Sequence, residues 1–426
     1  MTLATSNLPT PRGMSRRHFM HHLAGASALA APAFCLTQTL RANAQELASR
    51  GKGAILLWMG GGPSTMDIWD LKPSAATGGP FKPIDTAAPG VQISEHMPMT
   101  AKVMDKLAIV RSMSTREADH DRGRYYMHTG YVPNPNMTHP SYGAVVSHEL
   151  TPQGLEIPPF VSVGGASEGP GFLGMSYAPF VVSSNGQVRN LDMKVGEGRL
   201  RQRMSMLSNL EKGFNAQGRG QAAKDHAKIL DKTLSLMTSS QMEAFKIQSE
   251  PQEVKDRYGT TGFAQGVLMA RRLREVGVPF IEVDLGGWDN HQGIFPTLAD
   301  TKLPELDKAM SALVEDMSAS GLLADTAVIW MGEFSRTPRI NGNAGRDHWA
   351  RSWSVVVGGG DIKGGQAVGA TSADGTSVET DPYTSQDLMA SVCKAIGISL
   401  ATTFTSTSGR PMKIANSGRV IKELFA

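Results

Sequence analysis

Leu303–Met331 reads LPELDKAMSALVEDMSASGLLADTAVIWM. Its first half places Leu306, Met310, Leu313 and Met317 at the 3.6-residue spacing of an amphipathic helix. Gly321 ends that pattern, because glycine readily takes the left-handed conformation in which helices commonly terminate. TAVIWM (326–331) follows, apolar or β-branched at every position, as a strand buried on both faces requires. A helix that stops on glycine and feeds a doubly buried strand is one step of a wound sheet. The same step occurs upstream, where TGFAQGVLMARRLREVG (261–277) ends at Gly277 and runs into PFIEVDL (279–285). Four further runs have the same character: GAILLWM (53–59), KLAIVR (106–111), FVSVGG (160–165) and WSVVVGG (353–359). Together they predict a doubly wound α/β fold, with a mainly parallel sheet sandwiched by helices. The polar, Met-rich stretch from 195 to 255 has helical character and no strand signal. It reads as a helical insertion or, equally, as part of an ordinary crossover. PYTSQDLMASVCKAIGI (382–398) reads as a last helix capped by Thr384 and Asp387.

The first 44 residues have a different character. Arg16-Arg17 in MSRRHFM, the small apolar run LAGASALAAPAFCL and Ala42-Asn43-Ala44 occur in the order of a twin-arginine export signal, and the segment has no acidic residue. The expectation is a signal peptide over 1–44, an α/β domain over 45–426, the twin-arginine export machinery as a partner, and a periplasmic or secreted location. The 426 residues carry 42 Lys and Arg against 39 Asp and Glu, a net charge of +3. Loss of Arg12, Arg16, Arg17 and Arg41 leaves 38 against 39, so the basic excess belongs to the leader. No clustered cations remain for a general nucleic-acid surface. Of the two cysteines, Cys35 leaves with the leader and Cys393 then has no partner for an intramolecular disulfide. No other run is long and apolar enough to predict a membrane span after cleavage.

In doubly wound sheets ligands sit beyond the carboxyl ends of the strands. Four polar clusters fall at such ends: GGGPSTMDIWDLKP (60–73), DHDRGRYYMHTG (119–130), DLGGWDNH (284–291) and GEFSRTPRINGNAGRDHW (332–349). The second sets Asp119, His120, Asp121, Arg122, Arg124 and His128 within ten residues, more charge than can be buried without partners. Asp289, His291, Glu333 and the pair Asp347-His348 offer the oxygen and nitrogen donors of zinc, manganese or iron sites. With one cysteine left, a closed thiolate site is excluded. Ser64 reads either as a nucleophile beside the anion-receptive Gly60–Gly62 loop or as an N-cap. Arg336 and Arg339 read as forked holders of an oxyanion or as partners of Glu333 or Asp347. Asp67 and Asp70 fit ligand or helix-start roles, and Trp58, Trp288 and Trp349 fit pocket walls or core. His96, His139, His148 and His226 are isolated and read as structural or surface residues.

On GGGPSTMDIWD, HDRGRYYMHTG, GGWDNH and GEFSRTPRINGNAGRDHW the chain resembles the domain-of-unknown-function 1501 family, an exported sulfatase-like branch of the alkaline phosphatase superfamily. The resemblance covers nearly all of 53–400. It implies an alkaline-phosphatase-like fold, metal-dependent hydrolysis of phosphate or sulfate esters, and a small anionic ester as substrate. The implied cofactor is a divalent metal, zinc foremost, with manganese, iron or calcium as alternatives. In the superfamily a Ser, Thr or Cys-derived nucleophile opens a helix and a Thr-Gly pair follows. Thr129-Gly130 fits that pair, which puts His120 at the nucleophile position with Arg124 near it. Asp289, His291 and His348 match the first metal site. Strand one ends Met59-Gly60-Gly61-Gly62 without a carboxylate, and the usual Asp-His position reads Glu333-Phe334, so most of a second site is missing. The residues read above and the resemblance together give the expectation of a reduced, one-metal centre of Asp289, His291, Glu333 and His348, with His120, Ser64, Arg124 and Arg336 as catalytic candidates. His120 would act as a nucleophile, a general acid or base, or an extra ligand. The alternative is a non-catalytic ligand- or partner-binding protein on a hydrolase scaffold.

Overall fold

The apolar runs fold as strands β1 (Gly53–Trp58), β2 (Leu107–Met113), β3 (Phe160–Val163), β5 (Phe280–Asp284), β6 (Thr326–Met331) and β7 (Trp353–Gly358). Two short strands, β4 (Phe180–Val182) and β8 (Gln366–Val368), complete one eight-stranded sheet of order β8-β2-β7-β6-β1-β5-β3-β4. The computed structural model describes residues 51–187, 195–216 and 236–426, and Arg50–Ala426 forms one compact unit. The leader expected over 1–44 lies outside the described residues.

All pairings in the sheet are parallel except those of β7, which runs antiparallel to both β2 and β6. WSVVVGG is therefore reversed relative to the parallel strand expected of it. A parallel neighbour needs a crossover that returns the chain to the opposite edge. Residues 332–352 hold no helix and instead stay over the carboxyl edge of β6, so β7 can only descend from there.

Helices cover both faces. The main ones are α1 (His120–Thr129), α2 (Tyr142–Leu150), α3 (Glu197–Ala216), α4 (Gly262–Glu275), α5 (Leu303–Ala319) and α6 (Ser385–Ala395). Alternation along β1 sends Leu56 and Trp58 to one face, where they join Tyr142 and Val145 of α2 and Leu388 and Val392 of α6 in one buried cluster. Ile55 and Leu57 point the other way, the side on which α4 packs against α5 and β5. β1 and β6 are buried along their whole length, and each fully buried aliphatic side chain contributes roughly 1.5–3 kcal/mol relative to exposure. Of the helical stretch expected over 195–255, α3 and a helix over Gln252–Tyr258 are present, with 3-10 turns at Ser240–Phe245 and Ile247–Ser249. Residues 217–235 and His226 lie outside the described residues. The last helix carries the expected capping box, with Thr384 accepting from the Asp387 N–H and Asp387 accepting from the Thr384 N–H.

Candidate metal centre

Four loops leave the carboxyl edge beside one another. The loop after β5 is laced to the loop after β1: the Leu285 N–H donates to Trp58 O at 2.8 Å and the Trp288 N–H to Gly60 O at 3.2 Å. Gly61 has φ +112°, and a Cβ there would lie 2.6 Å from the Asp289 nitrogen, so only glycine permits this approach. In the loop after β6, Ser335–Arg336 and His348–Trp349 pair as a short antiparallel ribbon that sets His348 opposite Arg336. Asn341 Nδ2 donates to His291 O at 3.0 Å, and the Arg346 N–H to Asn290 O at 3.2 Å. These bonds hold 289–291 against 341–348.

The fourth contribution is α1. Asp119 caps it, accepting from the Arg122 N–H at 3.1 Å, which makes His120 the first helical residue. The charges crowded into 119–128 then separate. Arg122 pairs with Glu117 at the surface, Arg124 turns to Glu168 at 3.4 Å, and buried His128 meets buried Glu282 of β5 at 3.2 Å. His120 alone of these enters the cluster.

At the centre, three imidazoles converge on one carboxylate. His291 Nε2 lies 2.9 Å and His348 Nε2 3.3 Å from Asp289 Oδ1, and the two nitrogens are 3.2 Å apart. His120 Nε2 lies 3.3 Å from Asp289 Oδ2. The other nitrogen of each ring is tied to an acceptor: His291 Nδ1 to Asp347 at 2.8 Å, His348 Nδ1 to Ala118 O at 2.9 Å, and His120 Nδ1 to Glu333 at 2.6 Å. A carbonyl or carboxylate oxygen takes a proton and gives none, so each Nδ1 carries the hydrogen and each Nε2 is the nitrogen turned inward.

Arg336, 1% exposed, is the cation of the cluster. Its Nη2 donates to Asp289 Oδ1 at 2.6 Å and to Gly61 O, its Nε to Gly62 O at 2.7 Å, and its Nη1 to His291 Nε2 at 3.4 Å. Burial alone would raise the Asp289 carboxyl. The Arg336 hydrogen bond and charge, with His120 and His291, outweigh it and hold the group down at about 2. The Glu333 hydrogen bond is the main cause that raises the His120 imidazole above its ordinary range. Burial and Arg336 oppose that shift, and the charges of Glu333 and Asp289 reinforce it.

The donor set fits a divalent cation. With bonds of 2.0–2.1 Å, tetrahedral ligands on zinc stand about 3.3–3.4 Å apart. The three donors His291 Nε2, His348 Nε2 and Asp289 Oδ1 are separated by 2.9, 3.2 and 3.3 Å. Donor atoms of His120, Asp289 and His348 also lie within 4.8 Å of one another. Carboxylate or carbonyl oxygens that anchor the far nitrogens of ligating imidazoles are the usual second layer of such centres.

Other expected residues are placed elsewhere. Glu333, expected as a ligand, accepts at Oε1 from His120 and, at 2.9 Å, from the Gly61 N–H. That bond also engages one N–H of the glycine loop proposed to receive an anion. Ser64, read as a nucleophile or an N-cap, is 1% exposed and its hydroxyl donates to Asp67 at 2.5 Å. It stands at the N-cap position of the turn Thr65–Asp67 but makes no side-chain cap bond. Asp67, read as a ligand or a helix-start residue, is gripped at both oxygens by buried Arg346 at 2.8 and 2.9 Å. Asp70 is bound by Thr371 and Lys72. Arg124, one of the catalytic candidates, is engaged by Glu168 and Ala166 O. Arg339 is exposed. Trp58 and Trp288 are buried core, whereas Trp349 is half-buried, with its indole N–H on Ser352. The roles of Ala118 O, Gly61 N–H and Arg346 carried no signal in the sequence, because each depends on a partner far away in the chain.

Residues 51–425 match the family model described as "Protein of unknown function (DUF1501)". The chain belongs to that family. Among solved structures, this DUF1501 member is similar to a sulfatase from Pseudoalteromonas sp., with 14% identity over 85% of this chain and 72% of the other and a TM-score of 0.36. It is also similar to a protein in the alkaline phosphatase superfamily from Vibrio parahaemolyticus, with 11% identity over 88% and 71% and a TM-score of 0.37. A phosphonate monoester hydrolase from Silicibacter pomeroyi gives 10% identity over 88% and 76% and a TM-score of 0.35. No curated protein matches the chain.

Proposed function

We propose that this DUF1501 member is an exported, metal-dependent hydrolase of phosphate or sulfate esters, with a single divalent cation, zinc foremost, held by Asp289, His291 and His348. The observation that carries the reading is the near-equilateral triangle of His291 Nε2, His348 Nε2 and Asp289 Oδ1, each imidazole pinned at Nδ1. A bound cation there would act as a Lewis acid on an ester oxygen and acidify a water. Arg336 supplies the preference for an anion. Its Nη1 now donates to His291 Nε2, the lone pair a cation would take, so loading frees that N–H beside the metal for a phosphoryl or sulfuryl oxygen. Being buried and anchored on Gly61 O and Gly62 O, this guanidinium is already positioned and loses little freedom when it binds.

A second reading, a non-catalytic binding protein, is favoured by one observation: the nucleophile position holds His120 tied to Glu333, and Ser64 is buried on Asp67. One experiment separates the two. Metal-loaded protein is assayed on nitrophenyl phosphate monoesters, phosphate diesters and sulfate esters. Turnover of at least one class, lowered roughly 100-fold or more in Asp289→Ala, supports the hydrolase. Saturable phosphate or sulfate binding without turnover would leave the binding protein. Export is proposed on Arg16-Arg17: replacing both by Lys should hold a reporter fused to residues 1–50 inside the cell, and unchanged export would refute it.

A further inference from the structure

We propose that His120 is a fourth protein ligand of the same cation, through Nε2, and that Glu333 is the carboxylate that orients it. The inference rests on the metal reading of Asp289, His291 and His348 and adds to it a residue that the superfamily resemblance places at the nucleophile position.

Three observations carry it. His120 Nε2 is buried and has no hydrogen-bond partner among the described residues, although Asp289 Oδ2 is 3.3 Å away and His348 offers a donor within 4.8 Å. A buried polar atom without a partner calls for an explanation, and an ion is one of the few that suffices. Next, the anchoring of His120 repeats that of the other two imidazoles. All three rings turn Nε2 toward Asp289 and give Nδ1–H to an oxygen acceptor. A nucleophile or proton carrier would need only one free nitrogen near the substrate and would have no reason to share this convergence. Last, Glu333 is buried and cross-linked to the glycine loop by the Gly61 N–H, so the ring it holds cannot drift. This accounts for a glutamate standing where the superfamily resemblance expects a ligand. Its carboxylate acts one layer out, where it raises the basicity of the imidazole. The donor set becomes three neutral imidazoles and one carboxylate, and a substrate oxygen must enter as a fifth ligand or displace His120.

The test is a ligand count that does not depend on turnover. The full chain is stripped with chelator and reloaded with Zn2+, and X-ray absorption is used to count imidazole ligands. Three imidazoles are expected in the wild type and two in His120→Ala. In competition with a chromophoric chelator, Glu333→Gln should weaken Zn2+ binding roughly 10–100-fold, the usual cost of losing an outer-layer partner. His120→Ala should weaken it by more. Two imidazoles in the wild type, with tight binding lost in His291→Ala, would overturn the role of His120 and leave the three-ligand reading standing. Failure of the wild type to bind Zn2+ would overturn both. The wild-type count needs no variant to fold.

Discussion

Ser64 and Asp289 are both polar residues at strand ends, yet their surroundings give them opposite roles. Ser64 donates to Asp67, and Asp67 is gripped by Arg346, so the hydroxyl, the carboxylate and the guanidinium close on one another in the protein interior. Removing one member strands the others. Asp67→Ala should therefore cost about 3–5 kcal/mol in urea unfolding, the penalty for uncovering a buried charge. Ser64→Ala should cost about 1 kcal/mol or somewhat more and leave zinc affinity unchanged. A Ser64→Ala protein that folds normally but no longer hydrolyses any ester would reinstate Ser64 as the nucleophile. The convergence of Asp289, His291 and His348 was legible in the sequence because the strand-end rule collects polar residues from separate loops at one edge. What each residue touches there was not legible. Glu333 and Ser64 are the right residue types for ligand and nucleophile, and their hydrogen-bond partners His120 and Asp67 are fixed only by the register of the Gly61 loop against β6.

The helix α1 joins site and core. Its first residue faces Asp289, and its ninth, His128, packs on Trp58 at 4.1 Å between ring centroids and pairs with Glu282 of β5. Burial tends to raise the Glu282 carboxyl, but the charge and hydrogen bond of His128, the Ser167 hydroxyl and the charge of Arg124 prevail and lower it. A carboxyl lowered in the folded state adds stability that is present above its unfolded value, near 4.3, and is lost as pH falls through the lower folded value. The wild type should thus lose stability on acidification below about pH 4.3, and Glu282→Gln should be less stable at neutral pH with a flatter acid limb. Urea midpoints measured from pH 3 to 7 check this, and identical slopes in the two proteins would contradict it. At this scale, the six long strands and α4, α5 and α6 were legible from period and punctuation. The direction of β7 was not read, although 332–352 offered a clue: a polar stretch with no helical pattern cannot cross back under the sheet. The strands β4 and β8 escaped because three half-buried residues at a sheet edge give no periodicity to read.

Across the whole molecule, one α/β unit brings a single edge of its sheet to bear on a cluster whose donors come from three segments far apart in sequence. Such a centre is assembled only by the folded chain, so cation binding and folding are linked. A ligand at a hundredfold excess over its Kd stabilises the state that binds it by about 2.7 kcal/mol. Zinc should accordingly raise the melting temperature of stripped protein, and chelator should reverse the rise. The central claim, that Asp289, His291 and His348 form one cation site, is tested most directly by equilibrium dialysis of the chelator-stripped full chain against Zn2+. Wild-type protein should retain one zinc per chain, and His291→Ala should retain none at concentrations that saturate the wild type. Wild-type protein that retains no zinc, or a His291→Ala protein that retains as much as the wild type, would contradict the account.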